Sequence, residues 1–276
     1  MPNKTLIYGS SGFLGKNFEL ELENRHLPFI SISRSNLEMS NICTIKRFLE
    51  GQEFDSIFFS IGPAPCRTPE MFIENIELIL NLLQAIRIAN LKPKITYISS
   101  DAVYGSIDAN PRTESTQTIP DTLHGKMHLV REMLLHSADL PILILRCSAI
   151  FGIGDRHLSY GPNRFFNELT ENRTLSLYGS GSDKRDHVWI KDFTRVAADL
   201  HGTTEGTFNL VSGKSISFLD IANKMQKLSG KSNLISCQSS DSSFSEIHYD
   251  NSKLLEKLGY KIEDSLARGL VSYFHD

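Results

Sequence analysis

The stretch Lys4-Thr-Leu-Ile-Tyr-Gly-Ser-Ser-Gly-Phe-Leu-Gly15 decides the fold. A short β-rich run ends abruptly in Gly9, Gly12 and Gly15, and residues 16–23 favour a helix. In such a turn the first glycine permits the sharp bend, the second lets a pyrophosphate approach the backbone, and the third lets helix and strand pack. The N-terminus of the helix then favours the phosphate charge. The motif predicts a dinucleotide-binding loop formed by Gly9, Ser11, Gly12, Phe13, Leu14 and Gly15.

The end of the second apolar run, Leu27 to Ile32, indicates which dinucleotide binds. An acidic residue at this position binds the ribose hydroxyls of NAD, whereas an arginine accommodates the 2′-phosphate of NADP. Ser33 and Arg34 stand there, and a guanidinium matches a phosphate. We therefore expect NADP(H), with NAD(H) as the alternative. Arg34 could instead be a solvated loop residue, and Glu38 could contact the adenine or the ribose.

Strand-like and helix-like segments alternate over the first 150 residues. Apolar residues recur at helical spacing from Met71 to Asn90, while the continuous apolar runs at 56–60, 94–98 and 142–145 are typical of strands buried on both faces. This alternation predicts an α/β fold, with a Rossmann-type parallel sheet and helices on both faces. We expect an NAD(P)-binding domain at residues 1–150. A smaller α/β substrate-binding part is expected at 151–276, with segments that cross back to the first domain.

Composition excludes several classes of protein. The chain has 276 residues and a net charge of -3, without the basic excess of a nucleic-acid-binding protein. No apolar run approaches the roughly 20 residues that a membrane span needs. The four cysteines lie far apart and form no C-x-x-C pair, so we expect reduced thiols in a cytoplasmic protein. They are Cys43, Cys66, Cys147 and Cys237.

Ser99-Ser-Asp-Ala-Val-Tyr-Gly105 is one of several motifs that occur in the order found in one family. The others are the glycine loop, Asn75 before a long helix, Arg146…Phe151-Gly152, Leu177-Tyr-Gly-Ser-Gly181, Arg185-Asp-His-Val…Asp192, Gly206-Thr-Phe-Asn-Leu-Val211 and Asp250…Lys253…Leu258-Gly-Tyr260. Together they resemble the extended short-chain dehydrogenase/reductase family, in its nucleotide-sugar epimerase/dehydratase/reductase branch. The resemblance implies bound NAD(P), a nucleoside diphosphate sugar as substrate, and a homodimer formed through the helices near 71–90 and 124–138.

The resemblance also implies a Ser/Thr, a Tyr and a Lys that carry out hydride and proton transfer. Ser100 corresponds to the hydroxyl residue that hydrogen-bonds the sugar O4, and Ser99 lies at the cofactor. The family's Tyr-x-x-x-Lys, however, falls on His124 and His128 in this chain. The i,i+4 spacing places both on one helix face, whereas Lys126 faces elsewhere. Histidine can act as an acid or base near neutral pH, and a neutral His128 can still hydrogen-bond a ribose hydroxyl.

Several alternatives stay open for the chemistry. The proton donor could instead be Asp101 or Tyr160, or the chain could bind cofactor and nucleotide sugar without turnover. Family dehydratases carry an Asp-Glu pair after the hydroxyl residue, and Ala102 replaces that Glu here, which argues against a 4,6-dehydratase. Asp101 also fits a 4-ketoreductase, or a simple turn or helix cap. The two histidines have a zinc-ligand spacing, but no third ligand accompanies them and we expect no metal.

On the substrate side, Arg185 occupies a position where the family uses an arginine on the diphosphate. Its alternative is a surface ion pair with Asp183 or Asp186. Residues 160–166 have the composition of a loop at a pocket wall, where Asn163 could bind phosphate or sugar, while the two phenylalanines of this segment are more typical of a core. The resemblance therefore implies ketoreduction at C4, or epimerisation through a 4-keto intermediate, as the reaction that we expect.

Overall fold

The computed structural model describes residues 4–155, 161–232, 234–238 and 245–275. The strands in this part of the chain are β1 (Thr5–Tyr8), β2 (Phe29–Ile32), β3 (Ser56–Phe59), β4 (Lys94–Ser100), β5 (Ile142–Cys147), β6 (Ala149–Phe151), β7 (Leu175–Tyr178), β8 (Lys184–Trp189), β9 (Gly206–Leu210), β10 (Ser215–Ser217) and β11 (Ile235–Gln238). The helices are α1 (Phe13–Asn24), α2 (Ile42–Glu50), α3 (Pro69–Ile88), α4 (Leu123–His136), α5 (Gly161–Thr170), α6 (Ile190–Leu200), α7 (Phe218–Ser229), α8 (Ser252–Leu258) and α9 (Ser265–His275).

The central sheet has six strands in the order β2-β1-β3-β4-β5-β9. β1 pairs in parallel with β2 and with β3, and β3 pairs in parallel with β4. The carboxyl ends of these four strands therefore lie at one edge of the sheet, which is the edge where ligands bind in open α/β folds. The predicted α/β fold with a parallel Rossmann-type sheet is confirmed.

Alternate residues of β3 point to opposite faces of this sheet, and both faces are covered. On one face Phe58 stacks on Phe18 of α1, with ring centroids 3.7 Å apart, and an edge of His201 completes the cluster. On the other face Phe59 lies between Tyr8 and Tyr97, in a core that also takes side chains from α2, α3 and α4. This two-sided burial explains why the strands are continuously apolar in sequence.

The chain divides into two compact units. The first comprises Met1–Asp108, Glu114–Arg146 and Thr194–Phe208, and the second Ala109–Thr113, Cys147–Phe193 and Asn209–Asp276. The second unit contains a three-stranded sheet, β10-β8-β6, and a two-stranded sheet, β11-β7. The division of function between a cofactor part and a substrate part stays a prediction.

Most element boundaries lie within two residues of the predicted ones, and the two larger differences are at α1 and α5. α1 begins at Phe13, within the glycine motif itself, rather than at residue 16. Residues 161–170 form α5 where a loop is expected, because a proline in the first turn of a helix loses no hydrogen bond there. Tyr160 lies outside the described residues. Phe165 is buried and Phe166 packs beside it, as the sequence predicts.

Two further expectations concern membranes and cysteines. In the described part of the chain, none of the helices is both long and apolar enough to cross a membrane. All four cysteines are free thiols, two of them buried and two exposed.

Candidate cofactor and catalytic site

The glycine turn joins β1 to α1 at the carboxyl edge of the sheet. Gly9 has a φ of +116°, and the N–H groups of Gly9 and Ser10 donate to the carbonyl oxygen of Ile32 at 2.9 and 3.0 Å. A Cβ atom on Gly15 would lie only 2.3 Å from the carbonyl oxygen of Gly9. The turn is therefore closed by direct contact between backbone segments, and a side chain at Gly15 would open it.

The first turn of α1 fits a pyrophosphate. Gly12 is the N-cap, and no side chain caps the helix. Ser11 and Gly12 are exposed, and Phe13, Leu14 and Gly15 form the first helical turn. The first N–H groups of a helix lack intrahelical partners and carry the positive end of its dipole, so an anion stabilises them. Of the residues that the motif assigns to the dinucleotide, Gly9 and Gly12 donate their N–H groups to the carbonyl oxygens of Ile32 and Gly9. The backbone donors for an anion are therefore those of the first turn of α1, at Phe13, Leu14 and Gly15.

The end of β2 carries the residues expected to distinguish NADP from NAD. Ser33 is buried, and its N–H donates to Oδ1 of Asn36 at 2.7 Å. The Arg34 side chain is 62% exposed, and Nη1 lies 3.0 Å from Oε1 of Glu74, which is 45% exposed. An exposed ion pair of this kind is weak, so the Arg34 guanidinium can be released to a ligand at small cost.

β4 ends with two serines whose side chains have different environments. Ser99 is 3% exposed and its hydroxyl donates to Oε1 of Glu132 at 2.5 Å, so any contact of Ser99 with a cofactor is made by its backbone. Ser100 is partly exposed; Oγ accepts the Ala102 N–H at 3.1 Å and donates to Oδ1 of Asp101 at 3.2 Å. Of the two hydroxyls, only that of Ser100 is placed to reach a substrate.

A buried ion pair fixes the elements around these serines. Nη2 of Arg146, at the end of β5, lies 2.7 Å from Oε2 of Glu132 on α4, and Nε lies 3.1 Å from Oε1. Nη1 of Arg146 also donates to the hydroxyl of Tyr104 at 3.2 Å. Burial alone would lower the pKa of Arg146, but the hydrogen bonds and charge of Glu132 raise it above its ordinary value. The pair links β4, β5 and α4, and its role is structural.

The N-terminus of α4 packs directly on the turn that follows Ser100. The side chain of Thr122 caps the helix by accepting the Gly125 N–H at 3.1 Å. A Cβ atom on Gly125 would lie 2.2 Å from the carbonyl oxygen of Ala102, so the two segments are in backbone contact. His124 and His128 share the adjoining helix face, with perpendicular rings whose centroids are 4.6 Å apart. The predicted pair is therefore brought next to the segment that carries Ser100.

Each histidine has its Nδ1 atom engaged by the protein. Nδ1 of His124 accepts the backbone N–H of Cys66 at 3.3 Å, and Nδ1 of His128 lies 2.6 Å from the hydroxyl oxygen of Tyr97. Burial, together with the charges of His124 and Arg131, lowers the pKa of His128 well below its ordinary value, so His128 is neutral at pH 7. Sequence reasoning missed Cys66, Tyr97 and Arg131 because their partners come from other segments of the chain.

Two predicted substrate residues lie in the second unit. The Arg185 guanidinium donates to the Lys184 carbonyl and to Ser245, and it is 3.9 Å from Oδ2 of Asp183. The alternative ion pair with Asp186 is not formed, since that carboxylate is buried and accepts hydrogen bonds from Ser148, Ser212 and Lys214.

Asn163 is 4% exposed and lies in α5 rather than in a loop at a pocket wall. Its Oδ1 accepts the Gly152 N–H at 3.2 Å and the hydroxyl of Tyr273, and its Nδ2 donates to Oδ2 of Asp155 at 2.5 Å. Binding of phosphate or sugar by Asn163 would require these bonds to break. Among the described residues, no three His, Cys, Asp or Glu side chains are grouped to hold a metal ion.

Comparisons with known proteins agree with this arrangement. Residues 5–209 match the model of the NAD dependent epimerase/dehydratase family. The chain is 26% identical, over 309 aligned positions, to an uncharacterised UDP-glucose epimerase of Bacillus subtilis, covering 98% of this chain and 96% of that protein.

Solved structures of similar fold carry either dinucleotide. One is the UDP-glucose 4-epimerase of Thermus thermophilus in complex with NAD, with a TM-score of 0.86, 17% identity and 98% of each chain covered. Another is RMD of Pseudomonas aeruginosa complexed with NADPH, with a TM-score of 0.83, 20% identity, and 99% of this chain and 98% of that one covered. At these identities the likeness establishes the fold.

Proposed function

The chain belongs to the NAD dependent epimerase/dehydratase family, and on that basis we propose that it is an NAD(P)-dependent enzyme acting on nucleotide sugars. The reaction we propose is ketoreduction at C4, or epimerisation through a 4-keto intermediate. One observation carries the proposal: the glycine turn, Ser100 and the pair His124 and His128 all lie in the first unit, on segments at or packed against the carboxyl edge of its sheet. A glycine loop of the dinucleotide-binding type supports hydride transfer by a bound cofactor, and a hydroxyl and an imidazole can serve the accompanying proton transfer.

We propose NADP(H) as the cofactor, with NAD(H) as the alternative. The glycine turn and the first turn of α1 would hold the pyrophosphate, and His128 would donate to a hydroxyl of the nicotinamide ribose. Arg34 would exchange Glu74 for the 2′-phosphate of NADP. When bound, the nicotinamide exchanges a hydride with C4 of the sugar.

In this proposal Ser100 donates a hydrogen bond to the sugar O4, and His124 supplies the proton to O4 during reduction. Nδ1 of the resting ring accepts the Cys66 amide, and the proposal assigns Nε2 to the proton transfer. A histidine that gives up a proton at Nε2 must first carry one on each nitrogen, which releases the Cys66 amide. That contact is long at 3.3 Å and costs little to break. Asp101, hydrogen-bonded to Ser100, is the second candidate donor.

The substrate we propose is a nucleoside diphosphate sugar, with the diphosphate bound by Arg185. A homodimer would form through α3 and α4, where Ile73 and Met133 are 56% and 63% exposed. The second candidate function is binding of the same ligands without turnover. It is favoured by the engagement of both Nδ1 atoms in hydrogen bonds within the protein.

The proposal is tested first by cofactor content and binding. Protein purified without added nucleotide is denatured, any released dinucleotide is identified by mass, and the empty protein is titrated with NADPH and NADH. UDP-glucose and a UDP-4-keto sugar then serve as probes of epimerisation and reduction. Retained NAD would favour an epimerase, and tighter binding of NADPH would favour a reductase. If the protein bound neither dinucleotide, the proposed function would be wrong.

The role of His124 is tested by substitution. His124→Phe should leave the dinucleotide Kd within about twofold of wild type while turnover falls by a factor of about 10² or more, the scale of general acid catalysis. His136→Phe is the matched control, since His136 is an exposed histidine of the same helix. Unchanged turnover in His124→Phe would assign the proton to another group.

A further inference from the structure

A line of three side chains runs from the interior of the first unit to His128. Arg131 is 3% exposed, and its guanidinium donates to the carbonyl oxygen of Asn75 at 2.6 and 2.9 Å and to that of Ile61 at 3.0 Å. Its guanidinium also lies over the ring of Tyr97, 6.0 Å from the ring centroid, and Tyr97 is 1% exposed. The Tyr97 hydroxyl in turn lies 2.6 Å from Nδ1 of His128.

The chemistry of these groups fixes the direction of each hydrogen bond. The hydrogen of a buried phenol needs an acceptor, and among the described residues the hydroxyl of Tyr97 has its hydrogen bond with Nδ1 of His128, so that hydrogen points to His128. Burial raises the pKa of Tyr97, so the phenol keeps that hydrogen at all ordinary pH values. Nδ1 of His128 is then the acceptor. Since His128 is neutral, its one proton lies on Nε2.

We infer that Tyr97 is a positioning residue that holds His128 as the tautomer whose Nε2–H donates to the cofactor ribose. The inference rests on the proposed function for the ribose contact. A lysine side chain has three rotatable N–H donors and needs no partner to orient them. A neutral imidazole has one N–H donor, and the tautomer decides which nitrogen carries it. Tyr97 thereby makes a histidine workable at a position that resembles the lysine position of the family.

The tautomer is read directly by NMR on cofactor-free protein labelled with ¹⁵N-histidine, using two-bond proton–nitrogen correlations. The His128 signals, identified by their loss in His128→Ala, should show Nε2 protonated and Nδ1 bare. Tyr97→Phe should give a mixture of tautomers. Tyr8→Phe is the matched control, because Tyr8 is a buried tyrosine of the same sheet whose hydroxyl has no partner among the described residues. An Nδ1–H ring in wild type, or no change in Tyr97→Phe, would refute the inference.

The functional consequence is read by dinucleotide binding in a double-mutant cycle. In the wild-type background, Tyr97→Phe should raise the dinucleotide Kd roughly three- to tenfold, which corresponds to the loss of one hydrogen bond. In a His128→Ala background, the same substitution should raise the Kd by less than about twofold. His128→Lys should restore binding to Tyr97→Phe, since lysine needs no orienting partner. An equal rise in both backgrounds would mean that Tyr97 acts only on folding. If wild type bound no dinucleotide, the proposed function would fail while the NMR result still decided the tautomer.

Discussion

Replacing Gly15 with alanine should weaken dinucleotide binding and also lower folding stability. The added Cβ would lie 2.3 Å from the carbonyl oxygen of Gly9, and a Cβ contact below 3.4 Å is already close. To relieve this overlap, α1 must move away from the glycine turn by about 1 Å. Overpacking of this kind costs about 1–3 kcal/mol. A retreat of that size takes the first N–H groups of α1 out of hydrogen-bonding range of a charged ligand. The loss of one or two such bonds raises Kd by roughly 10- to 100-fold or more.

The assay separates the two effects. Urea unfolding without nucleotide gives the change in stability, and calorimetric titration with NADPH and NADH gives Kd. Gly51→Ala is the matched control, because a Cβ there would lie 3.5 and 3.6 Å from its neighbours, φ is −85°, and no ligand contact is proposed. It should leave Kd unchanged and raise stability by about 0.4–1 kcal/mol. If Gly15→Ala bound dinucleotide as tightly as wild type, the pyrophosphate could not lie on this turn.

Two further predictions concern buried groups that hold the first unit together. Burial lowers the pKa of His201 to about 4, so its contribution to the free energy of unfolding is complete above about pH 6.5 and is lost as the pH falls towards 4. The variant His201→Gln keeps a side chain that can bond Thr96 but has no group that titrates in this range. When its free energy of unfolding is measured in urea at about pH 7 and about pH 4.5, the decrease should therefore be about 2 kcal/mol smaller than that of wild type. An equal decrease in the two proteins would contradict this prediction. Glu132→Gln leaves the Arg146 guanidinium buried without its carboxylate and should lower the free energy of unfolding by about 3–5 kcal/mol. The double variant Glu132→Leu with Arg146→Met removes both charges and should recover much of that loss. A cost below about 1 kcal/mol in thermal unfolding would show that water replaces the carboxylate.

The first half of the chain could be predicted closely because its signals are local. β1, β3 and β5 are mainly apolar runs that are buried along their whole length, and α3 has a helical apolar period. The glycine motif marks the junction of β1 and α1 because backbone contact leaves no room for a Cβ. The predicted start of α1 is three residues late, since a glycine-rich turn and the first helical turn share the same residues.

The parts that could not be predicted depend on distant partners. The sequence shows an arginine at position 131. It does not show that this arginine is buried and donates hydrogen bonds to the carbonyl oxygens of Ile61 and Asn75, which belong to other segments. Gly161 and Pro162 are typical of loops because both interrupt helices, yet they stand at a helix start, where neither is costly. The same interpretation places Asn163 in a pocket wall, and its amide is instead part of the core of the second unit.

The strand order of the central sheet bears on how the protein is made. β5 is buried along its whole length, and β9, its neighbour on the outer side, is encoded about sixty residues later. When the ribosome has synthesised the first 150 residues, the strands β1 to β5 of the central sheet are complete, but β9, which pairs with the outer edge of β5, has not yet been made. During that interval the nascent chain exposes an apolar strand edge that can recruit other chains. A fragment ending near residue 150 should therefore aggregate where the full chain does not.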